Sequence, residues 1–279
     1  MQEKGLEILK PEQITGSVPE RIGIYGRAGI GKTRTALCLP NTEKWGEIIY
    51  YAADDNTEMM RSVPAAARSR VHVVKPRGDD HHVNFQQFCM TDWHKLRPQV
   101  KTLVVDTFTT VAFRVIQQIA NKGYITREEH FQVGDPLNGG FALPSRSDYQ
   151  AIDSACQGFL EMLNDKQRAM NIILVFHEDS KEIGKGTFFG GPSVPGRRML
   201  EHIPGSLNTV VRLIRENGVV PGKQEVISKV VAITSNNGNY VAKLREADIE
   251  NGNPLGRVVL DNNPVNWWNK YDDYMGGSV

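Results

Sequence analysis

The sequence predicts an α/β fold: a mostly parallel sheet with helices on both faces, continued by a C-terminal β-rich extension. Three observations predict it. Short apolar runs alternate with segments of helical spacing from Arg21 to Phe176. A glycine-rich loop, Gly26–Thr33, stands where the first run meets the first helix. Polar residues, among them Asp54, Asp106 and His177, follow the apolar runs directly, where an open α/β sheet meets its ligand crevice.

The elements follow in order. Residues 1–20 are polar, hold Pro11 and Pro19, and read as an extended lead-in. Arg21–Tyr25 is a short strand, and Thr35–Leu39 continues from the loop as a helix that Pro40 ends. Glu47–Ala53 is the second strand, closed by Asp54-Asp55-Asn56, and Val71–Val74 a short third. Asn84–Leu96 has helical character, Thr102–Asp106 is a buried strand ending in an acid, and Val111–Ala120 is a helix.

Residues 121–147 are broken by Gly123, Gly134, Pro136, Gly139, Gly140 and Pro144 and read as a long functional loop. Asp148–Arg168 is a helix, with Ile152, Ala155, Phe159, Met162 and Leu163 on its apolar side. Asn171–Phe176 is the next buried strand, ending at His177-Glu178, and 179–197 reads as a second glycine-rich loop. Leu207–Ile214, Val226–Thr234 and Tyr240–Leu244 are strands, the last two joined by an Asn237-Gly238 hairpin. The division is a lead-in 1–20, a core 21–246 and a tail 247–279. Trp267, Trp268, Tyr271, Asp272, Asp273 and Tyr274 make that tail aromatic and acidic. It docks on the body or a neighbour, or recruits a partner.

Composition excludes several classes. A chain of 279 residues buries a sizeable core, and 40% hydrophobic with 23% charged residues is ordinary for a globular protein. A net charge of +1 makes the whole molecule no magnet for polyanions, so nucleic-acid contact must come from local basic loops. No apolar run approaches membrane-spanning length, and Met1-Gln2-Glu3-Lys4 lacks the apolar segment of a signal peptide. Cys38, Cys89 and Cys156 are odd in number and widely spaced, which predicts reduced thiols and a cytoplasmic location. His81, His82, Cys89 and His94 match no common zinc spacing.

Gly26-Arg27-Ala28-Gly29-Ile30-Gly31-Lys32-Thr33 is a full G-x-x-x-x-G-K-[ST] phosphate loop, with Arg34 beside it. Its glycines let the backbone curl into a nest of N–H groups around an anion. Lys32 reaches β- and γ-phosphates, and Thr33 offers its hydroxyl to Mg²⁺. Asp106 is the candidate second Mg²⁺ carboxylate, or a helix N-cap before Thr107. Asp54 and Asp55 are favoured over Glu58 and Glu178 to activate water, the alternative being a turn or helix cap. His177 contacts the γ-phosphate or is a satisfied histidine.

This layout resembles the RecA-like ATPases and, more narrowly, phage-encoded AAA-domain proteins that include single-strand annealing ATPases. The resemblance runs from Arg21 to Glu246. It implies a RecA-like P-loop NTPase core using ATP and Mg²⁺, with Asp54 as the water-activating acid, where RecA has glutamate. It implies Asp106 as the metal aspartate and His177 as the polar sensor, where recombinases have glutamine. Both glycine-rich loops fall where such proteins bind DNA. Lys181, Lys185, Phe188, Phe189, Arg197 and Arg198 suit a single-stranded polyanion, by charge and by base stacking. An ordinary surface loop is the alternative. Lys243 and Arg245 resemble a pair presented in trans to a neighbour's γ-phosphate; exposed edge charges are the alternative.

The resemblance thus implies a DNA-stimulated ATPase of recombination or annealing that assembles into a ring or filament. A single-strand-binding protein is an implied partner, and the host cytoplasm the location for a phage protein. Competing expectations are a P-loop nucleotide or metabolite kinase, and an AAA+-like helicase-loading or switch module. No guanine-specifying N-K-x-D motif is present, which favours ATP.

Overall fold

A computed structural model describes residues 19–54, 57–122, 146–166, 169–184, 187–195, 199–219, 226–235, 239–244, 255–260 and 263–276. The chain opens with β1 (Arg21–Gly26), α1 (Lys32–Leu37) and β2 (Glu47–Ala52). A 3-10 turn at Thr57–Ser62 leads to α2 (Ala65–Arg68), β3 (Val71–Val74), α3 (His81–Met90) and α4 (Trp93–Leu96). Next come β4 (Val100–Asp106), α5 (Phe108–Lys122), α6 (Arg146–Lys166), β5 (Asn171–Gly184) and β6 (Thr187–Pro192). The last are α7 (Met199–Ser206), β7 (Thr209–Val219), β8 (Val226–Ile233), β9 (Arg257–Val259) and α8 (Val265–Gly276).

Among the described residues the sheet has nine strands, in the order β3-β2-β4-β5-β1-β7-β8-β9 with β6 beside β5. From β3 to β7 every neighbouring pair is parallel. The β7–β8, β8–β9 and β5–β6 pairs are antiparallel. The α/β, mostly parallel expectation therefore holds, with its β-rich C-terminal continuation. Both faces of the parallel part are covered, which explains the near-continuous apolar runs. On one face Phe85, Phe88, Phe108, Phe159 and Ile203 pack from α3, α5, α6 and α7. On the other, Ile22, Ile24 and Val211 of the sheet meet Leu37, Trp45 and Trp268.

β5 runs between β1 and β4, so the strands carrying the phosphate loop and Asp106 are separated by one strand. Register then brings the strand ends together: Gly26 lies opposite His177, Val175 opposite Asp106, and Asp106 opposite Ala52.

The aromatic tail is a core element. Trp267, Trp268 and Tyr271 of α8 are fully buried. Trp268 meets Trp45 edge-on at 5.1 Å and donates its indole N–H to the Thr35 carbonyl at 2.8 Å. Lys44 bridges Glu20 (3.1 Å) and Asp272 (2.9 Å), and the Tyr271 hydroxyl donates to Glu20 at 2.7 Å. The buried charges are thus paired and hydrogen-bonded, as burial requires.

Four readings of local structure are corrected. The segment 179–197 is not a loop throughout: β5 continues to Gly184 and β6 returns antiparallel, with Glu178 opposite Pro192. Within that segment, the missing side chain of Gly190 is what lets the Tyr240 ring lie on the strand. Tyr240–Leu244 does not line up beside β8; it forms isolated bridges to Gly190 and Val210, and β9 takes the place beside β8. Asn84–Leu96 is two helices, broken at Thr91, whose backbone is extended. Helix α5 starts at Phe108, with only Thr107 between it and Asp106, rather than at Val111. Residues 1–18, most of 121–147, and Asn237-Gly238 lie outside the described residues.

Candidate functional site

The phosphate loop has the backbone that its glycines were expected to supply. Gly29 (φ 72°) and Gly31 (φ 97°) are left-handed, and nothing lies within 4 Å of a Cβ added at either. Glycine is needed there for conformation, and the space above the loop is open. Gly26 answers a different need: a Cβ would stand 2.5 Å from the Leu213 carbonyl oxygen. Lys32 arches across the loop and donates to the carbonyls of Gly26 (2.9 Å) and Arg27 (3.0 Å). Burial pushes its pKa down, against the opposing pull of Asp106, Asp54 and Glu178. A cation held by two neutral carbonyls beside an open, glycine-rich loop fits an anionic ligand.

Thr33 donates its hydroxyl to Asp106 Oδ2 at 2.5 Å, and the Tyr50 hydroxyl donates to the same oxygen at 3.1 Å. Asp106 is 5% exposed. Burial lifts its carboxyl above the usual carboxylate range; the Thr33 hydrogen bond pulls it down and the Asp54 charge pushes it up. A carboxylate and a hydroxyl on adjoining elements are hard oxygen donors, a set that fits Mg²⁺. Elsewhere, Cys89 is buried in the core and His82 lies 5.4 Å from the Phe159 ring.

Asp54 follows β2 and accepts from the Thr107 hydroxyl at 3.4 Å. Its charge acts on Lys32, Asp106 and His177 alike, so these four residues share one small region. His177 is half-buried; its backbone N–H donates to Thr109 Oγ1 (3.0 Å) and its carbonyl accepts from Ser193 (2.7 Å). Burial and then the Lys32 charge push its imidazole pKa below the ordinary value, so the ring is neutral at neutral pH.

Glu178 is 6% exposed at its side chain and is held in two-pronged fashion by Arg212, at 3.0 and 3.1 Å. Arg27 of the loop, 87% exposed, comes within 4.0 Å of it. Arg212 in turn lies 3.2 Å from the Tyr240 ring centre. Both Glu178 oxygens thus serve an ion pair. Lys243 donates to the carbonyls of Pro204 (3.1 Å) and Leu207 (2.9 Å) at the end of α7. Arg34 lies on α1 and hydrogen-bonds the Cys38 side chain.

Lys181 and Phe189 are register partners in the β5–β6 hairpin, as are Glu182 and Phe188. Asp55, Lys185, Arg197, Arg198 and Arg245 lie outside the described residues. Sequence reasoning missed Tyr50, Thr107, Thr109 and Arg212. The hydroxyl-rich run Asp106-Thr107-Phe108-Thr109-Thr110 was the available signal for two of them.

A cavity of about 610 Å³ opens beside the loop, lined by Arg27, Ala28, Gly29 and Ile30, by Glu178, and by residues 212–215 of β7. A family model described as AAA domain matches residues 19–246. No curated protein matches the chain.

Proposed function

The chain belongs to the AAA domain family, an AAA-type P-loop ATPase-like domain, and from that premise we propose that it binds and hydrolyses ATP with Mg²⁺ and acts on single-stranded DNA through the β5–β6 hairpin. The observation that carries the reading is the meeting of Lys32, the Thr33–Asp106 pair, Asp54 and His177 at one place from separate elements.

Residues Gly26–Arg34 form the cradle. Lys32 exchanges its two carbonyl partners for phosphate oxygens, a trade of neutral acceptors for charged ones. Thr33 and Asp106 hold Mg²⁺, which when bound neutralises charge on the phosphates. Asp54, with Asp55 beside it in sequence, orients and deprotonates water. A neutral His177 donates to the γ end. Because His177 and Glu178 lead into the hairpin, occupancy there can be relayed to Lys181, Lys185, Phe188 and Phe189, the residues proposed to meet DNA. The following Arg197 and Arg198 extend that proposed contact.

ATP would sit between protomers of a ring or filament, with Arg245 reaching a neighbour's γ-phosphate. Lys243 would have to leave the end of α7 to join it. The testing experiment is ATP turnover with and without single-stranded DNA, alongside light scattering for assembly. DNA should raise turnover and Lys32→Ala abolish it. Phe189→Ala should remove the stimulation and spare basal turnover. Unchanged turnover at saturating DNA would remove the DNA role and leave ATP binding standing.

A further inference from the structure

We infer that the cavity between the phosphate loop and β7 takes the nucleoside end of the triphosphate, with an adenine base paired to the backbone of Arg215. The inference rests on the ATP reading above and names the site of the base. Lys32, Asp106, Asp54 and His177 gather on the β5, β4 and β2 side of the loop. The cavity lies mainly on the β7 side, lined there by residues 212–215, with Glu178 its one lining residue from β5. A triphosphate with its γ end among the former points its nucleoside at the latter.

Strand β7 also presents an open edge beside the loop. β1 stops at Gly26, opposite Leu213, whereas β7 runs on to Val219. Beyond Leu213, no strand covers β7 on that side among the described residues. Register tells which backbone groups face the gap. Val210 exchanges both backbone hydrogen bonds with Lys243, on the β8 side of β7. With a period of two, Arg212 and Ile214 also turn their N–H and C=O toward β8. On β8, the Val230 carbonyl accepts from the Leu260 N–H on the β9 side, so Val231 and Ile233 turn back toward β7; they are the partners of Ile214 and Arg212. Leu213 and Arg215 therefore turn theirs toward β1 and, past its end, toward the cavity.

One N–H and one C=O on the same strand edge match a base edge that offers an adjacent acceptor and donor, as adenine does at N1 and its 6-amino group. With the ribose held by the phosphates, only one order of donor and acceptor along the strand fits. Ile30 and Leu213 supply an apolar wall, and the exposed Arg27 guanidinium is placed to lie on the base. A volume of about 610 Å³ lies in the range of small-ligand sites.

The test compares ATP, GTP and inorganic tripolyphosphate by calorimetry on wild type and on Ile214→Trp, which fills the cavity. Wild type should bind ATP at least about tenfold more tightly than tripolyphosphate or GTP. Ile214→Trp should erase the margin over tripolyphosphate while tripolyphosphate itself binds as before, which also proves the variant folded. Independently, an azido-adenosine triphosphate should label wild type on the peptide containing Leu213 to Arg215. Equal affinity of ATP and tripolyphosphate, GTP binding as tightly as ATP, or label on Thr57–Ser62 instead would overturn the inference. If wild type takes up none of the three ligands, the ATP reading itself fails.

Discussion

The Tyr50 hydroxyl donates to the Asp106 carboxylate at 3.1 Å from the neighbouring strand β2. Thr33 occupies the same oxygen, so a buried carboxylate is prepared by two hydroxyls before any metal is considered. A hydrogen bond to a charged group contributes about 1.5–3 kcal/mol. Tyr50→Phe should therefore raise the Mg²⁺ concentration needed for half-maximal turnover by about tenfold or more. A magnesium titration of ATPase rate checks it. An unchanged requirement would leave Tyr50 a packing residue.

Asp106 itself should cost stability. Its folded-state carboxyl titrates above the ordinary carboxylate value because it is buried. The folded protein then holds the proton better than the unfolded chain, so stability falls as pH rises through that window. At neutral pH the wild type carries the full penalty. Asp106→Asn should melt higher than wild type at neutral pH, with the gap closing toward about pH 4. Calorimetric melting across pH measures this. Mg²⁺ with ATP should raise the wild-type midpoint and leave the variant's unmoved.

His177 gives the opposite slope. Its folded pKa lies below the ordinary imidazole value, through burial and then the Lys32 charge. The unfolded chain takes the proton more readily, so stability is full above the unfolded pKa and is lost as pH falls toward the folded one. Urea midpoints for wild type should drop between about pH 7 and 5, and His177→Gln should drop less. Parallel curves would exclude His177 as a source of that dependence.

Lys32 is the cation proposed to meet the phosphates. Lys32→Met should lower turnover by about a hundredfold or more, the scale of losing one charge-stabilising donor. Circular dichroism should show the fold retained. Substantial residual turnover would mean another cation takes the phosphates.

Trp268 belongs to the core. Replacing it with alanine leaves a cavity against Trp45 and strands the Thr35 carbonyl. The cost should be about 3–5 kcal/mol in urea unfolding. A loss under about 1 kcal/mol would mean that α8 is only loosely seated.

The phosphate loop was legible because its demands are local. Positive φ at Gly29 and Gly31, and a lysine next to a threonine, are written in eight consecutive residues. Asp106 was legible as the acid ending a buried run, and strand–helix alternation was enough for a parallel sheet. What chain order and spacing left open was contact between remote positions. Glu178 and Arg212 are 34 residues apart, Tyr50 and Asp106 56, and Glu20 and Tyr271 251. The hairpin of β5 and β6 was hidden for a related reason. Its glycines look like breaks until Tyr240 is seen lying on Gly190.

Residue spacing along the chain thus determined the glycine-rich loop, the strands and the fold class, because backbone geometry and hydrophobic period act over a few residues. Folding in three dimensions decided that β5 runs between β1 and β4, that Glu178 pairs with Arg212, and that the final helix completes the core. Those outcomes depend on burial and charge pairing between distant segments, which no short stretch of chain encodes.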